Sequence, residues 1–387
     1  MAELTRGAEV RLGWNEYSRG EGRVEIFYFN RWGTVCNTTW DITDSNVVCR
    51  QLGFWRAFAT IDSIVFGATP TGPVWLDQTN CSGDEDSLYR CRKASIGGNQ
   101  CQHETDAAVI CDLTGQLLVG HTGGEERPLL YYNISDSSGF HERSPINVSA
   151  ITMLYHKEDT TLYWIQDVEG SSKNCELRRM NMNGSNNQWE TFATLAVCNQ
   201  YSSVTIDEIG AYVFWTEPST SRRVYRKATD GSSPTVFRYG VRAPRGIALR
   251  KATRRVYILM ENRVDSRTLN LGGSIGPVSY PNNKNVKCLT LDEAGGMMYF
   301  VDFESDVVLK MAPIDGGTLK VVPLDINDTP SGMLFASGWL VWLEPTHHRV
   351  GRVALRASSR EIIYRDFDQQ MEGAPASLTF IPKNTGK

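Results

Sequence analysis

Apolar and polar residues change period several times along this chain, and each change predicts an element. The segment 22-GRVEIFYFNRWGTVCNTTWD-41 carries β-branched and aromatic residues on both sides of a polar break, which predicts two strands joined by a tight turn at Asn30 and Arg31. In 43-TDSNVVCRQLGF-54 the period becomes helical, with Val47, Val48 and Leu52 on one face behind a cap at Thr43 or Asp44. The run 73-PVWLDQTNCSG-83 is again strand-like, and 84-DEDSLYRC-91 reads as a short capped helix whose Asp84, Glu85 and Asp86 form a solvated start favoured by the helix dipole.

After Thr114 the texture is short apolar strands and turn dipeptides, and the pattern repeats. The segments 162-LYWIQD-167, 213-VFWTEP-218, 256-VYILME-261, 298-MYFVDF-303 and 341-VWLEPT-346 align on Trp164, Trp215, Ile258, Phe300 and Trp342. Their spacings are 51, 43, 42 and 42 residues. A short strand precedes each copy, and turns such as Asn183-Gly184, Asp230-Gly231, Gly272-Gly273 and Asp315-Gly316 follow most of them. Four strands per roughly 42 residues is the arithmetic of a propeller blade. The leading 116-QLLVGHTGG-124 and trailing 374-APASLTFIP-382 are each too short for a blade but together supply a sixth, and that closure removes exposed sheet edges. The repeated aromatics are expected in the core.

The cysteines divide the chain the same way. Cys36, Cys49, Cys81, Cys91, Cys101 and Cys111 fall within 76 residues, at gaps of 13, 32, 10, 10 and 10 that lack the paired spacing of a zinc site. Such a block reads as a disulfide framework. Cys175 and Cys198 flank a predicted hairpin and are expected to face each other across it, which leaves Cys288 as a buried free thiol. Sequons at Asn37, Asn133, Asn147, Asn183 and Asn327, with a weaker one at Asn80 beside Cys81, are candidate glycosylation sites and point with the cysteines to an extracellular setting. The opening MAELTRGAEV has no apolar leader core and no window approaches eighteen apolar residues, so no membrane insertion by this segment is expected; the export signal is expected to have been removed, or the sequence to be part of a longer chain.

The pattern WGTVC, VVCRQLG, GPVWLD and the six cysteines together resemble the scavenger receptor cysteine-rich (SRCR) domain over residues 9–112. The resemblance implies the pairs Cys36–Cys101, Cys49–Cys111 and Cys81–Cys91, each worth roughly 3 to 4 kcal/mol in the chain-entropy picture. It also implies a cation site, but the positions that supply its carboxylates are Asn37, Thr38 and Thr105 here, with only Glu104 and Asp106 nearby. Residues 113–384 resemble the six-bladed YWTD propeller of low-density-lipoprotein-receptor relatives, closed by residues 374–382. The match is distant: the fourth motif position reads His121, Gln166, Glu217, Met260, Asp302 and Glu344. The expected fold is therefore mainly β, a small disulfide-rich α+β SRCR domain followed by a six-bladed β-propeller.

Length and charge narrow the function. The 387 residues exceed one ordinary domain, and 40 basic against 44 acidic residues exclude a generic nucleic-acid binder. Between Arg222 and Arg267, however, stand 13 basic and three acidic residues, a net +10 over 46 positions. Arg222, Arg223, Arg242 and Arg245 fall in loops on one propeller face, together with Glu217, Asp302, Glu304, His347 and His348, and Arg250, Lys251, Arg254 and Arg255 fall on the other. The first set forms the candidate ligand-binding face for an extracellular protein or anionic glycan. No nucleophile elbow, P-loop or His metal spacing occurs, so no catalytic residue, metal or cofactor is assigned. The expected function is that of a receptor or adhesion ectodomain, or a secreted binding protein; a structural component of a larger assembly and a propeller hydrolase are the alternatives.

The substituted cation positions yield a prediction. Chelation should leave the melting temperature of the N-terminal domain unchanged in a thermal scan; a drop of several degrees that calcium reverses would show that other ligands have built a site.

Overall fold

The computed structural model describes residues 10–13, 20–52, 54, 56–63, 71–93, 96–97, 101–112, 115–122, 127–133, 141–168, 175–183, 188–218, 222–269, 275–279, 285–293, 295–303, 306–324, 326–336, 338–355, 362–367 and 375–382. The N-terminal unit consists of β1 (Val10–Gly13), β2 (Glu21–Tyr28), β3 (Arg31–Val35), α1 (Ile42–Gln51), β4 (Ala57–Asp62), β5 (Val74–Leu76) and β6 (Ala107–Cys111). Its sheet runs β4-β6-β2-β3-β5, with β1 on β2. Val24, Ile26, Val35, Val47, Val48, Leu76 and Leu88 pack under it with the half-cystines Cys49, Cys81, Cys91 and Cys111. So small a core leans on its crosslinks, and the structure holds Cys36–Cys101, Cys49–Cys111 and Cys81–Cys91.

Three local details differ from the sequence pattern. The short helix expected over 84–91 with a start at Asp84, Glu85 and Asp86 is a single 3-10 turn at Leu88–Arg90, capped by Ser87. Helix α1 is capped by Asp41 rather than Thr43 or Asp44: its carboxylate accepts from the amides of Thr43 and Asp44, and the Asp44 side chain returns to the Asp41 amide in a capping box. The β2–β3 turn sits at Phe29 and Asn30, both at positive φ, and Arg31 already belongs to β3.

The rest of the described chain forms six four-stranded antiparallel sheets. They are β10–β13 (Thr152–His156, Thr161–Asp167, Cys175–Asn181, Trp189–Leu195) and β14–β17 (Val204–Asp207, Tyr212–Glu217, Arg223–Ala228, Thr235–Tyr239). Next come β18–β21 (Pro244–Arg250, Arg255–Met260, Val264–Thr268, Ile275–Ser279) and β22–β25 (Val286–Asp292, Met297–Asp302, Val308–Pro313, Lys320–Val321). The fifth is β26–β29 (Met333–Ala336, Trp339–Glu344, Arg349–Ala354, Ile363–Asp366). The sixth joins the chain ends: β30 (Pro375–Pro382) pairs with β7 (Gly115–His121), followed by β8 (Arg127–Asn133) and β9 (His141–Val148). Residues from β10, β14, β18, β22, β26 and β30, the first strand of each sheet, line one central cavity of about 330 Å³.

The repeated motif occupies the second strand of each sheet. Trp164, Trp215, Phe300 and Trp342 are all at most 1 % exposed, wedged between neighbouring sheets. The fourth motif position now has a physical reason. Residues i and i+2 of a strand share a face, and the Trp164 indole donates to Gln166 Oε1 at 2.7 Å as the Trp342 indole donates to Glu344 Oε1 at 3.0 Å. In these two copies the position supplies an acceptor, and a Gln serves as well as an acid; in the second copy the Trp215 indole nitrogen is not bonded to Glu217. The Cys175–Cys198 bridge lies at the start of β12, where Cys175 is opposite Leu195 and Cys198 reaches back from three residues beyond.

The two units meet at the end where each second strand begins. Ile110, Phe58, Ala59 and Ile61 of the first unit join one apolar cluster with Leu117, Val119, Trp339 and Leu378. Phe58 meets the Trp339 ring edge-on at 4.2 Å, and the Trp339 indole donates to the Cys111 carbonyl. At the centre, the fully buried Asp112 carboxylate accepts from Arg352 Nη1 at 2.8 Å and pairs with Arg56 at 3.3 Å. Gly338, at φ +83°, lets Glu21 lie close, since a Cβ there would come within 2.4 Å of its carboxylate.

Removing one member of a buried ion pair leaves the other charge stranded. Asp112→Ala should therefore cost about 3 kcal/mol and split a single calorimetric transition into two. One unshifted transition would show that the junction does not couple the units.

Candidate functional site

Antiparallel strands sort the loops into two rims. The loops after second strands and those entering first strands share the front rim; the loops after first and third strands share the back rim, where the N-terminal unit packs. Backbone pairing ties the front loops together: the Val241 amide donates to the Arg222 carbonyl at 2.9 Å and the Phe367 amide to the His348 carbonyl at 2.7 Å.

On the back rim, among the described residues, three of the four basic residues of the predicted set, all but Arg255, meet an acid from a neighbouring sheet. Arg250 pairs with Asp315 at 3.2 Å, Lys251 with Glu208 at 2.6 Å, and Arg254 grips the nearly buried Asp207 through two nitrogens. These pairs stitch one sheet to the next.

The front rim is different. Arg222 is exposed, at φ +52°, with no carboxylate partner among the described residues. Arg242 is 70 % exposed and only 3.9 Å from Glu261. Arg245 is mostly buried: it binds Glu261 at 3.0 Å and stacks over Tyr201 at 3.8 Å. Arg223 lies on the flank, its guanidinium 5.5 Å from the Tyr239 ring. Arg222 and Arg242 are thus presented to solvent, Arg245 is largely spent on the fold, and Arg223 is half-buried on the flank.

The acidic and histidine candidates also divide. Glu217 is buried, with Oε1 accepting from the Ala196 amide at 3.2 Å, so it supports the loop rather than facing a ligand. Asp302 is half-buried beside Lys310, and Glu304 lies outside the described residues. His347 is exposed near Asp328 and Glu344, and His348 is half-buried at φ +48°. Asn147, Asn183 and Asn327 are exposed, Asn37 is half-buried, and the Asn133 side chain lies outside the described residues. Sequence reasoning missed Glu261, Tyr201 and Lys287. Lys287, 7 % exposed, sits 5.4 Å from the Phe303 ring, and burial pulls its ammonium below the usual lysine range.

Where the resemblance implies a cation, the chemistry has turned inward. The Thr38 and Thr105 hydroxyls contact Cys36 Sγ and Cys101 Sγ at 2.9 and 3.0 Å. Asp106 is buried between His103 at 3.1 Å and Arg23 at 3.7 Å. Burial raises its carboxyl above the ordinary range despite those partners. Cys81, Glu85 and Cys91 lie close together, but both sulfurs are consumed in a disulfide. Cys288 is the free thiol among the described cysteines, but it is half-buried rather than fully buried: at φ +62° in a bulge of β22 it lines the central cavity, and desolvation there pushes its thiol up.

Residues 14–112 match the family described as the scavenger receptor cysteine-rich domain. Galectin-3-binding protein of Mus musculus is 43 % identical over 121 residues, 31 % of this chain and 21 % of that protein. Galectin-3-binding protein of Mesocricetus auratus is 46 % identical over 123 residues, 29 % of this chain and 21 % of that protein. The matched region thus spans about a fifth of the length of these curated relatives. A chain from the crystal structure of a nidogen/laminin complex aligns over 68 % of this chain and 97 % of its own length, at TM-score 0.55 and 17 % identity, which shows the fold alone. The N-terminal unit is therefore an SRCR domain carried on a propeller-type β-structure. With its four disulfides, this is an extracellular protein.

The two rims predict different mutant behaviour. Arg254→Ala strands a buried carboxylate and should cost about 1 to 3 kcal/mol of stability, whereas Arg222→Ala should stay within about 0.5 kcal/mol. Equal effects in denaturant titrations would remove the distinction.

Proposed function

We propose that the chain is a binding module of an extracellular receptor, adhesion or secreted protein: an SRCR domain over 9–112 followed by a six-bladed YWTD-like propeller over 113–384, which docks an acidic protein surface or a sulfated glycan on its front rim. One observation carries the reading. The back-rim cations Arg250, Lys251 and Arg254 are neutralised in place, whereas Arg222 and Arg242 stand exposed on the front rim with at most a distant partner. A guanidinium fork binds carboxylate or sulfate bidentately, and a rim of loops held by a closed ring is a rigid platform for it. Asn327, exposed on the β25–β26 connection, places a candidate glycan on the acidic and histidine-bearing part of that rim, away from the arginines. Two curated relatives are named for binding a galectin, and binding to a protein partner agrees with this reading.

Immobilised heparin and polyglutamate supply the probes. Salt-sensitive binding is expected, and reversing Arg222, Arg223, Arg242 and Arg245 to Glu should weaken it by at least ~10-fold, about 1.4 kcal/mol, with most of the loss already present in the Arg222→Glu, Arg242→Glu pair. Full retention by the quadruple variant, with loss on reversing Arg250, Lys251, Arg254 and Arg255, would move the site to the back rim.

A further inference from the structure

The SRCR domain carries an exposed aromatic tip that neither the cysteine framework nor the front rim explains. β2 begins at Glu21, against the propeller at Gly338, and runs eight residues to Tyr28. At ~3.3 Å per residue its far end lies about 23 Å from that junction. There the chain turns through Phe29 at φ +46° and Asn30 at φ +58°. Tight hairpins take Asn or Gly at such positions, and a bulky residue is strained there. Phe29 is nevertheless 75 % exposed, the most exposed large apolar side chain among the described residues. Strain combined with so much exposure of an apolar ring points to a use at the surface.

The surroundings are built to hold that ring. Tyr28 meets Phe29 at 4.4 Å and Trp75 at 5.7 Å, Phe29 lies 6.2 Å from Trp75, and Tyr89, itself 37 % exposed, lies 5.9 Å from Tyr28. The Trp75 indole donates to the Arg31 carbonyl at 3.2 Å and rests on Gly33, where a Cβ would approach the indole to 2.5 Å. The Tyr89 hydroxyl is the main influence raising the Tyr28 pKa, so the two phenol tips are neighbours. Cations surround the rings. Lys93 sits 4.6 Å over Tyr89, Arg90 pairs with Asp86 at 3.2 Å with both side chains largely solvated, and exposed Arg31 has no carboxylate partner among the described residues.

The ring geometry selects the occupant. Stacked sugars need a flat aromatic floor, but Phe29 is tilted by 69° from Tyr28 and by 51° from Trp75, which makes a convex knob. A protruding apolar residue, amphipathic Tyr and Trp around it and basic residues beside them match the order of a bilayer surface from acyl chain to interface to anionic headgroup. We propose that this hairpin is a lipid-docking tip, which seats Phe29 among the headgroups of an anionic phospholipid bilayer with Tyr28, Trp75 and Tyr89 at the interface and Arg31 against the lipid anions. This is surface binding without a membrane span, at a site remote from the front rim and independent of its function. It depends on the fold of the hairpin and not on a bound cation.

The test is co-sedimentation of the full chain with vesicles of about three parts phosphatidylcholine to one part phosphatidylserine, against phosphatidylcholine alone. Binding to the anionic vesicles is expected, with tryptophan fluorescence quenched by brominated acyl chains and that quenching diminished in Trp75→Phe. Phe29→Ala and Arg31→Glu should each lower the bound fraction at limiting lipid by at least ~5-fold. Because the Phe29 ring is 75 % exposed and Ala keeps the same backbone conformation, the melting temperature of Phe29→Ala should change by no more than a surface substitution does, so loss of binding is not loss of fold. Absence of sedimentation with anionic vesicles, or an unchanged bound fraction in Phe29→Ala, overturns the proposal. Heparin retention that depends on Phe29, without vesicle binding, overturns it in favour of a glycan.

Discussion

The Asp112 carboxylate, fully buried between Arg352 and Arg56, is the interaction on which the arrangement of the molecule depends. Asp112 follows the last SRCR cysteine, and Arg352 stands on the third strand of the fifth sheet, 240 residues later. A buried charge pair of this kind contributes little net stability but makes other placements costly, because any slip strands a charge. Trp339 closes the joint by donating to the Cys111 carbonyl and lying under the Arg352 guanidinium at 4.5 Å. The SRCR domain is thereby fixed on the back rim, the front rim is left clear of it, and the Phe29 hairpin is held at the far end.

The propeller reaches its own rigidity by a different route. Its first and last strands, β7 and β30, pair in one sheet and so close the ring. Between sheets, buried aromatics fill the wedge, and the Trp164 and Trp342 indoles are answered locally by Gln166 and Glu344. Salt links on the back rim add attachment where the gaps between sheets are solvated. These economies leave Arg222 without a carboxylate partner among the described residues and Arg242 with only a long contact to Glu261.

Much of this was legible in the sequence because it is local or periodic. The spacing of Trp164, Trp215, Phe300 and Trp342 gave the sheets, and the cysteine spacing together with the family resemblance gave the SRCR unit. The candidate site was only half legible. Topology placed the arginines on a common rim, but whether an arginine is spent depends on partners such as Glu261 and Tyr201, which local pattern does not reveal. Glu217 fits a surface acid by sequence because the backbone amide it accepts from, that of Ala196, stands 21 residues away. Phe29 was read as strand because its hydrophobicity fits a strand, whereas the backbone places it in the turn. Asp112 and Arg352 are too far apart in sequence for any periodicity to join them.

The central claim is that the free cations of the front rim, rather than the stitched cations of the back rim, meet the ligand. Hydrogen exchange of the intact chain with and without a saturating heparin oligosaccharide reads both rims in one experiment. The account predicts slowed exchange in the front-rim loops at 222–223 and 240–245, with no change at 250–255. Protection confined to 250–255 would contradict it.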